Sequence, residues 1–393
     1  MNETIYMPVG EVCSSISDTY REKKNMVTLI NTSDVLEGRV LNHERVPNSN
    51  LKGQFKKTFQ RDDILYSEIR PQNRRFAYVD FSPIDYIAST KLMVIRAKKD
   101  VVSPKYLYYF LKNSSTVAEL QLLAETRSGT FPQITFSEVA NLTIPVPPLA
   151  VQEVIVQTMQ CLEDKITCNE QINDNLEQQA QSYFQELFVD NADPEWTTGT
   201  ISDLGTVVGG STPSKAKPEY YTESGIAWIT PKDLSNNKSK FVSHGENDIT
   251  ELGLRNSSAS IMPEGTVLFS SRAPIGYIAI AAGEVTTNQG FKSVVPKPEI
   301  GTPFVYFFLK NTLPVIEGMA SGSTFKEVSG STMKNVPAVI PDAETLAKFS
   351  DFCAPIFAQQ RILEEQNQSL ATLRDNLLPK LMSGEIDVSA VQL

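Results

Sequence analysis

Histidine is nearly absent. His43 and His244 are the only two in 393 residues, and neither has a Cys or His neighbour at metal-ligand spacing. The four cysteines, Cys13, Cys161, Cys168 and Cys353, are scattered, with no Cys-x-x-Cys pair. That excludes a zinc framework and a disulfide scaffold and predicts free thiols in a reducing cytoplasm. No run of about twenty apolar residues exists, so no membrane span is expected. The amino terminus lacks the basic-then-apolar pattern of a signal peptide. Positive charge is not in excess either. Lys and Arg total 36 against 46 Asp and Glu, a net charge of −10, which argues against a free-standing polyanion binder.

What is present is periodicity. From Leu149 to Phe188 there is no Gly or Pro, and Gln, Glu, Leu and Ala abound, so the stretch reads as one helix. Ile155, Leu162, Asn169, Leu176 and Tyr183 recur every seven residues, with Thr158, Ile166, Ile172, Ala180 and Leu187 expected on the alternate seam positions. At about 1.5 Å per residue such a rod is roughly 60 Å long and needs a partner stripe. Ala343 to Ser383 supplies it. Phe349, Ile356, Leu363, Leu370 and Leu377 each lie 194 residues after a member of the first ladder, with Phe352, Leu373 and Leu381 beside them. The expectation is an antiparallel pair, with Asn169 a lone polar residue setting the register. Pro355 and Pro379 should kink the second helix or cut it short.

The segments before each helix repeat as well. Thr266-Val267-Leu268-Phe269-Ser270 answers the strand at Asp63 to Ser67, and Pro71 and Pro274 follow at the same distance. Phe304 to Asn311 matches Tyr106 to Asn113, and Ser321-Gly322-Ser323-Thr324 answers Ser128-Gly129-Thr130-Phe131. The chain therefore reads as a module over 1–148, a helix over 149–190, a second module over 191–341, a second helix over 342–386 and a short tail, 387–393. The fold class is α+β: two similar mixed modules joined by two long antiparallel coiled-coil helices. Much of the acid sits on the helices, including Glu163, Glu177 and Glu364. The first module carries a dense set of cations, Lys52, Arg61, Arg96 and Lys99 among them.

No catalytic constellation emerges. Gly209-Gly210-Ser211-Thr212-Pro213-Ser214-Lys215 lacks the Gly-Lys-Ser/Thr ending of a phosphate loop. Asp193-Pro194-Glu195-Trp196 is a linker, and Asp18, Glu22 and Lys24 are charged residues of a polar loop. No nucleophile stands beside a base, and no cofactor or metal is expected.

Gly209 to Lys215, Pro218-Glu219-Tyr220, Ile226 to Leu234 (Ile-Ala-Trp-Ile-Thr-Pro-Lys-Asp-Leu), Thr287 to Gly290 and the ending Arg374 to Ile386 together resemble the specificity subunit of type I restriction-modification systems. The resemblance extends over the whole chain and is closest in the second half. It implies a non-catalytic protein whose two target recognition domains each read one half of an asymmetric bipartite site in double-stranded DNA. The helices would space them, two methyltransferase subunits would dock, and restriction subunits would join. Residue types able to reach phosphates or base edges from loops then become candidates. In the second module these are Thr212, Lys215, Lys217, Lys232, Arg272, Asn288, Gln289 and Lys326. In the first they are Lys56, Lys57, Arg70, Arg74, Arg75, Lys91 and Arg127. The alternative from another class is a coiled-coil scaffold with two protein-binding modules.

Overall fold

A computed structural model of the chain describes residues 4–22, 24–48, 53–127, 130–322 and 326–388. Lys52, the loop residues Ser128, Gly129, Ser323 and Thr324, and the tail after Val388 lie outside the described residues. The fold is α+β and internally duplicated. The chain divides into two compact units, Met1–Ile166 with Ser369–Leu393, and Thr167–Gln368. The division falls inside both long helices, so each unit holds a module and one part of each helix.

In the first unit, Ile5–Pro8 pairs antiparallel with Thr143–Val146, closing the module just before the long helix begins. An antiparallel sheet runs in the order Cys13–Ile16, Leu92–Ala97, Ile64–Ser67, Phe76–Tyr78. Its central strands are almost wholly apolar, Arg96 and Ser67 excepted, because both faces are covered. Ile64, Tyr66, Met93 and Ile95 face the helix Pro104–Lys112, and Leu65, Leu92 and Val94 pack on the other side with Ile30, Val35 and Ala88. The alternation follows the two-residue period of a strand. A second sheet, Val46–Pro47, Met26–Ile30, Tyr86–Ser89, Phe55–Lys57, covers that other side. Ile155, Val156 and Met159 from the start of the first long helix enter the same core as Leu378, Leu381 and Met382 from the end of the second.

The second unit repeats the plan. Thr197–Thr200 pairs antiparallel with Pro337–Ile340. A five-stranded sheet runs Gly205–Gly209, Lys292–Pro296, Val267–Ser271, Ile275–Ala281, Phe241–Val242. Val267, Phe269 and Val294 face the helix Thr302–Met319, while Leu268, Ala279 and Ala281 face Ala227, Ile229 and Val242. Here Ala180 and Phe184 from the end of the first long helix meet Leu346, Phe349 and Cys353 from the start of the second. In each unit the start of one helix lies against the end of the other, so the pairing is antiparallel.

Several helix expectations need correction. The first helix is α over Leu149–Gln185 and ends in a π turn over Glu186–Asp190. The second runs unbroken over Ala343–Ser383, through both Pro355 and Pro379. Cys353 and Ile356 flank one proline and Leu378 and Leu381 the other. All four are buried, and that packing outweighs the lost amide hydrogen bonds. Ile172 is 40% exposed and Leu373 45% exposed, so neither lies on a seam. Met159 is buried instead of Thr158, whose hydroxyl donates to the Val154 carbonyl at 2.8 Å.

Asn169 is not a lone polar residue. Its side-chain nitrogen donates to Gln366 Oε1 and Asn367 Oδ1, each at 2.7 Å. Gln360, also buried, donates to the main-chain carbonyl of Asn173 at 3.1 Å. The middle of the seam in the second unit is thus a layer of amides. Of the other ladder residues, Ile155, Ile356 and Leu363 are buried, and Leu162, Leu176, Tyr183, Leu370 and Leu377 are half-buried.

Candidate nucleic-acid interface

Three separate stretches of the second module meet in one place. The Gly209–Lys215 loop lies against the Thr287–Gly290 segment, with Ser211 N donating to Thr287 O at 2.8 Å. A Cβ at Gly210 would stand 2.0 Å from Asn288 O, so only glycine allows that approach. Asn288 N donates to Ile229 O at 3.0 Å, and Trp228 Nε1 to Ser211 O at 2.9 Å. Just beyond, Thr230 caps the helix Pro231–Asn236 through Asp233, whose Oδ2 accepts from Thr230 N at 2.7 Å. The other oxygen, Oδ1, accepts from Glu246 N at 2.9 Å. A Cβ on Gly245 would fall 2.5 Å from Trp228 O, so glycine is needed to bring Glu246 in.

The result is an open cavity of about 490 Å³. Thr212, Lys215, Lys232, Arg272, Asn288 and Gln289, six of the eight candidates in this module, line it. Thr212 donates its hydroxyl to Gln289 Oε1, and Asn288 Oδ1 accepts from Gly290 N at 2.8 Å. Both amides therefore keep their NH2 groups for a ligand. Lys217 and Lys326 are not part of the lining. Lys217 lies over the Tyr220 ring, 5.2 Å from its centroid, and Lys326 is exposed.

Two carboxylates at this site carried no sequence signal. Glu246 pairs with Lys232 at 2.6 Å, and Glu327 with Arg272 at 3.5 Å and Lys292 at 3.9 Å. Burial, offset by Glu327, leaves the Lys292 ammonium below its ordinary pKa.

In the first module most of the candidates are held by neighbouring groups of the module itself. Lys57 points inward, donating to Thr90 O at 3.1 Å and Leu92 O at 2.8 Å, and burial lowers its pKa. Arg75 donates to Ser33 O at 3.0 Å, and Arg74 to Ser114 Oγ at 2.8 Å. Arg127 pairs with Glu138 at 2.9 Å, and Lys91 reaches Gln133 Oε1 at 3.1 Å and Glu68 at 3.4 Å. Lys56 and Arg70 are exposed. A cavity of about 210 Å³ elsewhere is lined by Arg61, Arg96 and Lys99, but Asp63 holds Arg96 and Asp62 holds Lys99.

The helices' acidic residues are also engaged. Glu163 accepts from the Lys112 ammonium and from the Tyr109 hydroxyl at 2.9 Å. Glu177 takes both Lys240 and Lys310, and the Tyr306 hydroxyl at 3.2 Å. Burial pushes the Glu177 carboxyl up, but the two lysines outweigh it and hold it below its ordinary value. Lys240 is only 7% exposed. Its Nζ also donates to Gln360 Oε1 at 2.6 Å and lies 4.2 Å from the centroid of the Phe357 ring. Glu364 receives the main-chain N–H groups of Lys240 at 2.8 Å and Phe241 at 3.0 Å. These acids clamp each module to the helices of its own unit.

Among the described residues no cluster of His, Cys, Asp and Glu could hold a metal ion, and no helix is long and apolar enough to cross a membrane. The sequence profile of the type I restriction modification DNA specificity domain matches twice, over residues 6–178 and 194–373. The chain belongs to the type I restriction-modification specificity family. It is 30% identical to the HindI specificity subunit of Haemophilus influenzae, with 92% of this chain and 94% of the relative aligned. It is 39% identical to the MjaIX specificity subunit of Methanocaldococcus jannaschii, over 47% of this chain and 45% of that one. In fold it is similar to the type I S subunit of M. genitalium, with a TM-score of 0.54 at 17% identity, covering 97% and 96% of the two chains. The two profile matches fall on the two copies of the duplicated plan. A specificity subunit confers DNA sequence specificity, and that is the role of this chain.

Proposed function

We propose that each module reads one half of a bipartite, asymmetric site in double-stranded DNA. The long helices hold the two readers at a fixed spacing and dock two methyltransferase subunits, which restriction subunits join. The chain performs no chemistry itself and works in the cytoplasm. The observation that supports this reading most is the second-module cavity. Three loop segments bring Lys215, Lys232 and Arg272 together with the free amide groups of Asn288 and Gln289. Cations position a duplex by its phosphates, and fixed amides and guanidinium groups read base edges. The acidic total of the chain is compatible with binding because partner subunits would share in neutralising the DNA backbone.

Among the first module's candidates Lys56 and Arg70 are exposed and, unlike the exposed Lys91 and Arg127, stand in no ion pair among the described residues, so they are the contacts to expect there. Lys57 and Arg75 hold the module together instead. The test exchanges residues 196–341 for the equivalent module of a relative, in a host that expresses the whole complex. Mapping methylated sites should show one half of the target replaced and the other kept. Two altered halves would mean that the modules do not read independently.

A further inference from the structure

The two modules hold different side chains on one main-chain frame. Val328 N donates to Ser271 O at 3.0 Å, as Ile134 N donates to Glu68 O at 2.9 Å. Arg272 forms an isolated antiparallel bridge with Glu327, as Ile69 does with Gln133. Ser271 N donates to Gly290 O at 2.7 Å, as Glu68 N donates to Lys91 O at 3.0 Å. The frame is the same, and the chemistry displayed on it differs. The second module shows an arginine facing a carboxylate, and the first shows Ile69 facing a neutral amide.

Three features set the Arg272–Glu327 pair apart from an ordinary surface ion pair. Its side chains are 37% and 40% exposed, so it adds little to stability. Its arginine lines a cavity shared with Lys215 and Lys232, and Glu327 stands beside that arginine, where a carboxylate opposes the approach of a phosphate backbone. And its backbone is held in place: the strand bridge fixes both main chains, and Lys292 lies 3.9 Å from the Glu327 carboxylate. A fixed carboxylate here weakens binding to DNA in general, and what offsets that loss is a donor which only some sequences present. The major-groove amino donors are cytosine N4 and adenine N6, and since guanine, with O6 and N7, is the base that suits an arginine best, the pair that satisfies both groups is G·C. Guanine O6 and cytosine N4 are hydrogen-bonded to each other at about 2.9 Å. Arg272 and Glu327 stand 3.5 Å apart, a separation of the same order, so the two groups fit the two bases of one pair.

We propose that Arg272 and Glu327 act as one specificity element that reads a single G·C pair in the half-site of the second module. Arg272 donates to guanine and Glu327 accepts from cytosine. This rests on the reading of that module as a half-site reader.

The test selects duplexes from a randomised pool with the chain assembled with its modification subunits. Wild type, Glu327→Ala and Arg272→Gln are compared at one salt concentration. The expected result is a bipartite site with a G·C pair in the second module's half. At that position alone, both variants relax discrimination by roughly tenfold or more. Both side chains are partly exposed, and unchanged melting curves show that the variants fold. A Glu327→Ala effect equal on all sequences makes the residue a plain counter-ion and overturns the proposal. So do effects of the two variants at different positions, or a half-site with no G·C pair. A wild-type complex that selects no sequence at all sinks the half-site reading itself, and this inference with it.

Discussion

The two modules grip the helices with the same tool turned two ways. Lys112 and Lys310 occupy equivalent places on equivalent helices, yet the first has one carboxylate to itself and the second shares its carboxylate. Glu163 serves one lysine and a tyrosine, whereas Glu177 serves Lys310, the nearly buried Lys240 and a tyrosine. A duplicated scaffold therefore does not imply duplicated energetics. The second clamp concentrates its charge on one residue, and the first spreads little through its own.

Replacing Glu177 tests that difference most severely. Glu177→Gln leaves Lys240 buried without its counter-charge and should cost about 3 kcal/mol, whereas Glu163→Gln should cost roughly 1–2 kcal/mol. Thermal unfolding of both variants measures the gap, and equal losses would erase the distinction. The acid limb sharpens it further. Because the folded Glu177 carboxyl lies below its ordinary value of 4.5, its stabilisation is present above that pH and is lost as pH falls through the folded value. The difference in stability between wild type and Glu177→Gln should therefore shrink below about pH 4.5. A difference that grows with acid would reverse the assignment.

Glycines separate the modules next. Gly245→Ala must push its Cβ against Trp228 O and the Asp233 carboxylate and should cost about 1–3 kcal/mol along with DNA binding. A methyl group on Gly53, in the first module, would meet nothing within 4 Å, and Gly53→Ala should be neutral or slightly stabilising. The smallest effect concerns two lysines that look alike in sequence. Lys215→Ala should lower the salt dependence of DNA binding by about one ion and leave stability alone. Lys57→Ala should lower stability by roughly 1 kcal/mol, since it strips two buried carbonyls of their donor, with the salt slope unchanged. Binding measured across a salt series, with melting curves in parallel, checks both.

Much of this was legible in the residues. The seven-residue ladders located both helices, and the repeated plan located the paired modules. The wrong seam positions have a simple origin. Thr158 and Ile172 stand three residues after Ile155 and Asn169, whereas the packed positions, Met159 and Asn173, stand four after. Hydrophobicity favoured Ile172 over Asn173, but the helix at that level meets amides, not an apolar partner. Periodicity also shows only which side of a helix is apolar. It could not reveal that Glu163, Glu177 and Glu364, beside that stripe, face lysines or main-chain amides of the modules. The site was half legible: the Gly-Ser loop, the Trp-Ile-Thr-Pro-Lys segment and the Thr-Asn-Gln-Gly segment were visible as words. Glu246 and Glu327 belong to no motif, and only the folding of distant loops brings the first into the cavity and the second against Arg272.

The walls of that cavity are tied largely by main-chain bonds: Ser211 to Thr287, Asn288 to Ile229, Ser271 to Gly290 and Val328 to Ser271. Such ties take no account of which side chain a residue carries. Point mutations at Lys215, Arg272 or Glu327 can therefore accumulate in a lineage without eroding the architecture that displays them. On the reading proposed above, selection for new targets acts on these side chains and selection for folding acts elsewhere, so the molecule can change its vocabulary while keeping its grammar.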